Sequence, residues 1–158
     1  MDWIVLVAFL AVVFVAAALG AVFRPDEWYD GLAKPSWQPP KWVFAPVWTI
    51  LYVMIAVAGW LIWRSAGVSP ALVLWGVQLA LNAVWSPIFF GARRIGLALV
   101  DLGLLWAAVV ATFVAAMRVD GIAAALLSPY VAWVSFAGVL NFAVWRLNPP
   151  EGRTEIAG

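Results

Sequence analysis

Apolar and polar positions alternate along this chain in long blocks rather than residue by residue. Five apolar runs, at residues 3–23, 43–63, 70–91, 95–117 and 121–145, are separated by short stretches that hold nearly every charge. Each run is about 21 to 25 residues long, and at ~1.5 Å of rise per residue such a helix crosses a hydrocarbon core ~30 Å thick. The pattern predicts an all-α integral membrane protein. It is a five-helix transmembrane bundle and a single domain over 1–158, with a long structured loop at 24–42 and a short tail at 146–158. The first run follows Met1-Asp2 without a basic segment and is too long for a signal-peptide core, so it reads as a retained helix.

The loop between the first two runs is the most unusual polar stretch. Pro25 with Asp26 and Glu27, followed by Gly31, predicts a short helix that opens on proline and closes on glycine. Then Pro35-Ser36-Trp37-Gln38-Pro39-Pro40-Lys41-Trp42 places three prolines and two tryptophans in one segment, which predicts a stiff polyproline-like strap. Such a loop reads as a lid over the bundle mouth; the plainer alternative is a belt of interfacial Trp and Tyr. Basic residues fall mostly on the lid side: Arg24, Lys34, Lys41, Arg93, Arg94, Arg146 and Arg153, against Arg64 and Arg118 on the other. The positive-inside rule puts the lid and C-terminus in the cytoplasm and the N-terminus outside.

Composition narrows the chemistry. Hydrophobic residues make up 66% and charged ones 11%, with a mean hydropathy of +1.01. A formal net charge of +1 offers no basic surface for nucleic acid. With no cysteine and no histidine, thiol or imidazole catalysis, the usual zinc sites and the common haem ligands are excluded, so no metal site is expected. No nucleophile–base pair, paired carboxylates or phosphate-binding loop is present. Twelve tryptophans exceed what two interfacial belts require, so several belong inside.

Within the third run Gln78, Asn82 and Ser86 recur every four residues and share a helix face, which Trp85 joins. Trp48 and Tyr52 in the second run, and Trp133 and Ala137 in the fifth, are likewise one turn apart. These pairs can line a flat aromatic cavity with one amide for orientation. They can equally be core packing, with Gln78 and Asn82 as interhelical hydrogen-bonding groups. Asp101 is the one ionisable residue deep in a span and must face protein, as a helix–helix anchor or an ion site. Small-residue stripes at Gly76 and Ala80, and at Gly103, Ala107, Ala111 and Ala115, permit close contact within the bundle or across a dimer.

Six ordered strings resemble the tryptophan-rich sensory protein / translocator protein (TspO/MBR) family. They are Trp28-Tyr29-x-x-Leu32-x-Lys34-Pro35-x-Trp37-x-Pro39-Pro40-x-Trp42, Ala45-Pro46-Val47-Trp48-x-x-Leu51-Tyr52, Gln78-Leu79-Ala80-Leu81-Asn82-x-x-Trp85-x-Pro87-Ile88-Phe89-Phe90-Gly91-Ala92-Arg93, Ala98-Leu99-Val100-Asp101-Leu102, Pro129-Tyr130-x-Ala132-Trp133 and Leu140-Asn141-Phe142-x-Val144-Trp145-Arg146. The resemblance implies a five-helix bundle, commonly a homodimer, whose first loop closes a cavity for porphyrins and synthetic benzodiazepine-site ligands. By position the pocket falls on Trp48, Tyr52, Asn82, Trp85, Trp133 and Ala137, with Tyr29 and Trp37 at the mouth.

The implied function is a membrane receptor or carrier for tetrapyrroles, protoporphyrin IX or haem, in porphyrin- or stress-linked regulation or transport. No cofactor is required, the porphyrin being the ligand. The alternative is light-dependent oxidative breakdown of protoporphyrin, with Trp48 and Trp133 as candidate electron donors. A sterol or lipid translocator is a weaker alternative, because the cholesterol pattern of mitochondrial members needs a tyrosine where this chain has Phe142. The absence of a cleavable presequence favours a bacterial cytoplasmic membrane.

Overall fold

The computed structural model describes residues 2–149. In chain order they form α1 (Asp2–Val22), α2 (Glu27–Asp30), α3 (Lys41–Ala66), α4 (Pro70–Ser86) with a π-helical turn over Pro87–Gly91, α5 (Ile95–Met117) and α6 (Gly121–Leu147). All but α2 belong to helices long and apolar enough to cross a membrane, the third of these being Pro70–Gly91.

Polar residues set the ends. The Ser69 hydroxyl accepts from the Leu72 N–H, with Pro70 opening α4. Asp120 accepts from the N–H groups of Ile122 and Ala123, and the Ala123 bond above all holds its carboxyl below the usual range. Gly67, at φ +62°, supplies the positive-φ conformation that ends α3.

Several boundaries differ from the sequence expectation. α3 begins at Lys41 and runs to Ala66, rather than 43–63, because Lys41 and Arg64 lie at the apolar limits and both tolerate helix. Pro46 consequently sits in the second turn, not the first. The third run is not one regular helix: Pro87 has no N–H to continue the α-pattern, and the Ala92 N–H reaches back to the Pro87 carbonyl at 2.8 Å. Pro129 likewise lacks an N–H, but α6 stays α-helical through it, and the Ser128 hydroxyl donates to the Ala125 carbonyl at 2.7 Å, replacing the lost bond.

In the loop, helix α2 is capped by Asp26, whose side chain accepts from the Tyr29 N–H, so the helix starts at Glu27 and not at Pro25. The strap is not a continuous rail either; the Gln38 N–H bonds the Pro35 carbonyl at 3.2 Å and closes a turn over Ser36 and Trp37. The expected tail from position 150, Arg153 included, lies outside the described residues.

The spans close into a ring in the order α1, α3, α6, α5, α4, with only a narrow contact between the sequence neighbours α3 and α4. Ile55, Ile62, Val109, Leu127 and Val134 fill the interior. Asp101 is buried against protein, as its charge requires. Val7, Val15, Val100 and Leu104 are exposed, as suits faces turned to lipid. The narrow α3–α4 contact depends on Gly59, where an added Cβ would lie 2.4 Å from the indole of Trp75. That indole donates to the Ile55 carbonyl at 2.9 Å.

Candidate ligand-binding site

Three spans meet below the lid, and each contributes aromatic or amide groups because their stripes at one-turn spacing face the ring's interior. On α3, Trp48 stacks on Tyr52 with ring centroids 5.4 Å apart and planes at 28°. Trp48 also meets two rings of α6 edge-on, Tyr130 and Trp133, each at 6.4 Å. Phe44 and Phe136 extend this cluster towards the lid through Trp133, at 5.8 and 5.5 Å.

A chain of hydrogen bonds runs across the middle. The Tyr52 hydroxyl donates to Asn82 Oδ1 at 3.5 Å, Asn82 Nδ2 donates to the Tyr130 hydroxyl at 2.7 Å, and Tyr130 in turn donates to Gln78 Oε1 at 2.8 Å. Gln78 is fully buried, yet its Nε2 has no acceptor; the buried Nε1 of Trp133 has none either. Both unmatched groups in this cluster are donors. An interior that leaves buried donors unpaired is costly by about 1–3 kcal/mol per group, and a ligand with acceptor atoms would relieve it.

The remaining predicted residues divide. Asn82, Trp48, Tyr52 and Trp133 come together as described. Trp85 finds its hydrogen-bond partner on α6. Its indole donates to Asn141 Oδ1 at 3.0 Å, and its ring stacks on Phe89 at 4.9 Å, because α6 offers a buried acceptor there. Ala137 is half-buried against the main core and has no polar role. Tyr29 is a buried residue of the lid itself, edge-on to Phe89 and Phe90, and its burial pushes the phenol pKa up. Trp37 is 48% exposed, with its edge on Phe136 at 5.9 Å.

The lid is tied down at several points. Gln38 Nε2 donates to the Tyr29 hydroxyl at 2.7 Å, Lys41 pairs with Asp30, and Arg93 pairs with Asp26 at 3.2 Å. The Tyr29 N–H bond, ahead of the Arg93 charge, holds the Asp26 carboxyl below its usual pKa. A fourth tie comes from the far end of the chain. The Asn148 side chain accepts from the Ala33 N–H at 2.9 Å and donates to the Ala33 carbonyl at 2.8 Å, so one amide pairs with both polar groups of a lid residue.

Removing this clamp in Asn148→Ala is expected to speed amide exchange in the 27–42 segment by about tenfold, the worth of two modest hydrogen bonds. Exchange within α5 should stay unchanged. Equal lid protection in the two proteins, read by hydrogen-exchange mass spectrometry, would mean the clamp contributes nothing.

Sequence reasoning missed Tyr130, Asn141 and Asn148. Tyr130 carried a usable signal, since a phenol inside an apolar run needs a partner and Gln78 and Asn82 were already in view. Asn148 carried none.

The TspO/MBR family model matches residues 7–146. The chain is 44% identical to "Protein CrtK" of Rhodobacter capsulatus over 143 residues, covering 86% of this chain and 88% of that one. It is 42% identical to the "Tryptophan-rich sensory protein" of Cereibacter sphaeroides over 155 residues, 97% and 98% of the two chains. It is 45% identical to the human "Translocator protein" over 155 residues, 93% of this chain and 92% of the relative.

Proposed function

Because the chain belongs to the TspO/MBR family of translocator and tryptophan-rich sensory membrane proteins, we propose that it is a receptor or carrier for tetrapyrroles, held among Trp48, Tyr52, Asn82 and Trp133 beneath the lid. The observation that supports this reading best is the pair of unmatched buried donors, Gln78 Nε2 and Trp133 Nε1, in a cluster walled by aromatic rings. A flat macrocycle stacks on the rings, at ~0.5–1.5 kcal/mol per ring pair beyond area burial, while its acceptor atoms meet the donors. Binding through the macrocycle suits a chain without histidine or cysteine. Tyr29 and Trp37 cover the mouth.

The lid and C-terminus face the cytoplasm of a bacterial cell in this reading, following the basic residues on that side. Two copies associate through a lipid-facing small-residue stripe; an added Cβ at Gly76 or Gly103 would touch nothing. A second reading, photo-oxidation of the bound ring with dioxygen as the oxidant, draws on Trp48 and Trp133 standing 6.4 Å apart with planes at 87°.

The test is a fluorescence-quenching titration with protoporphyrin IX in the dark, repeated under illumination. The unaltered protein is expected to saturate at micromolar or lower concentration, and folded Asn82→Ala and Trp133→Leu proteins to bind about tenfold more weakly. Ring breakdown under light alone would favour the second reading. Quenching that does not saturate, or that ignores both substitutions, would rule out a tetrapyrrole in this cluster.

A further inference from the structure

The seam between α3 and α6 opens outward as a groove of about 410 Å³, lined by Ile50, Met54, Pro129, Ala132, Trp133 and Phe136. Its wall carries no charge, and Ile50 is 61% exposed. Ile50 lies nine residues into α3 and Ala132 fifteen before the end of α6, which puts the groove about 13 to 22 Å below the lid-side helix ends. That depth is acyl-chain region, not headgroup or water.

Trp133 belongs to both compartments. It lines the groove, and its ring stands edge-on to Trp48 of the interior cluster. Its indole N–H is buried and bonds nothing, so no hydrogen bond holds this ring where it is. Two neighbouring indoles are pinned, Trp75 by the Ile55 carbonyl and Trp85 by Asn141. The lid above is held by Asn148 and two ion pairs.

We propose that this groove is the membrane-side portal of the interior site, and that Trp133 is its gate. A planar, lipid-soluble ligand with hydrogen-bond acceptors leaves the acyl chains between α3 and α6, and rotation of Trp133 admits it to Trp48 and Tyr52 without the lid opening. The inference rests on the tetrapyrrole reading for the identity of that ligand. Ala132 matters because its small side chain keeps the groove open on the α6 side.

The chain has no cysteine, so Ala132→Cys can be folded first and blocked afterwards. The protein is reconstituted in phosphatidylcholine nanodiscs and labelled with N-phenylmaleimide or with methyl methanethiosulfonate. It is then mixed with protoporphyrin IX in the dark in a stopped-flow fluorimeter. The bulky adduct is expected to slow association and dissociation alike, by about tenfold or more, while affinity stays within about threefold. The methyl adduct, a phenylmaleimide adduct at Val100→Cys on the lipid face of α5, and Asn148→Ala should all associate at the unaltered rate. Normal rates in the blocked protein, or faster association in Asn148→Ala, would overturn the portal while leaving the tetrapyrrole reading intact. Absence of saturable binding to the unaltered protein would overturn the tetrapyrrole reading, and the portal with it.

Discussion

Gly59→Ala is expected to cost the bundle about 3 kcal/mol, the upper end of what overpacking a core costs. The new methyl carbon would lie 2.4 Å from Cε2 of Trp75 and 2.7 Å from its Cζ2 and Nε1. The ring cannot slide aside, because its Nε1 is bonded to the Ile55 carbonyl on α3 and its face meets Phe9 of α1 edge-on at 5.2 Å. Either α3 and α4 part, or the indole leaves and its N–H is stranded in an apolar interior. Denaturant titration in detergent micelles, followed by helical circular dichroism, measures the loss. Trp75→Leu in the Gly59→Ala background should recover part of it by removing the clash. A Gly59→Ala protein as stable as the unaltered one would show that the two helices do not approach this closely.

Tyr130→Phe is expected to destabilise by about 2–4 kcal/mol, far more than the loss of one surface hydroxyl would. The phenol is the middle of the polar chain: it accepts from Asn82 and donates to Gln78. Without it Gln78, whose Nε2 already lacks a partner, loses its other bond and becomes a buried amide with nothing to pair. Removing both partners should hurt less than removing one. The double variant Tyr130→Phe with Gln78→Leu is therefore expected to be more stable than Tyr130→Phe alone, a coupling that a double-mutant cycle reads directly. Additive losses would mean that Gln78 and Tyr130 do not depend on each other.

The spans were legible because crossing a bilayer demands about twenty apolar residues in a row, and nothing else in the chain imitates that. Ends were harder to read. Asp26 displaced the start of α2 by capping it, and Pro87 turned the last part of the third run into a π-helical turn, each a local contest between backbone and side-chain hydrogen bonds. Spacing by one turn found Trp48, Tyr52, Asn82 and Trp133, since a shared helix face is a local property. It did not reveal the partner of Trp85, Asn141, 56 residues away. Long-range partners leave no trace in periodicity, which is also why the clamp between Asn148 and Ala33 could not be anticipated.

The order of helices around the ring has a bearing on how the protein is made. Gln78 and Asn82 enter the bilayer with α4, but the phenol that pairs them lies 52 and 48 residues later, on the last span to be synthesised. Until α6 inserts between α3 and α5, the nascent chain carries Gln78 unpaired in hydrocarbon, Asn82 with Tyr52 as its one partner, and a lid that lacks its clamp, 115 residues from Ala33. Assembly is thus completed by a single late event. A chain cut short just before α6 would hold four membrane-spanning segments and only the α4 half of the site's polar bridge, which makes it a natural substrate for membrane quality-control proteases.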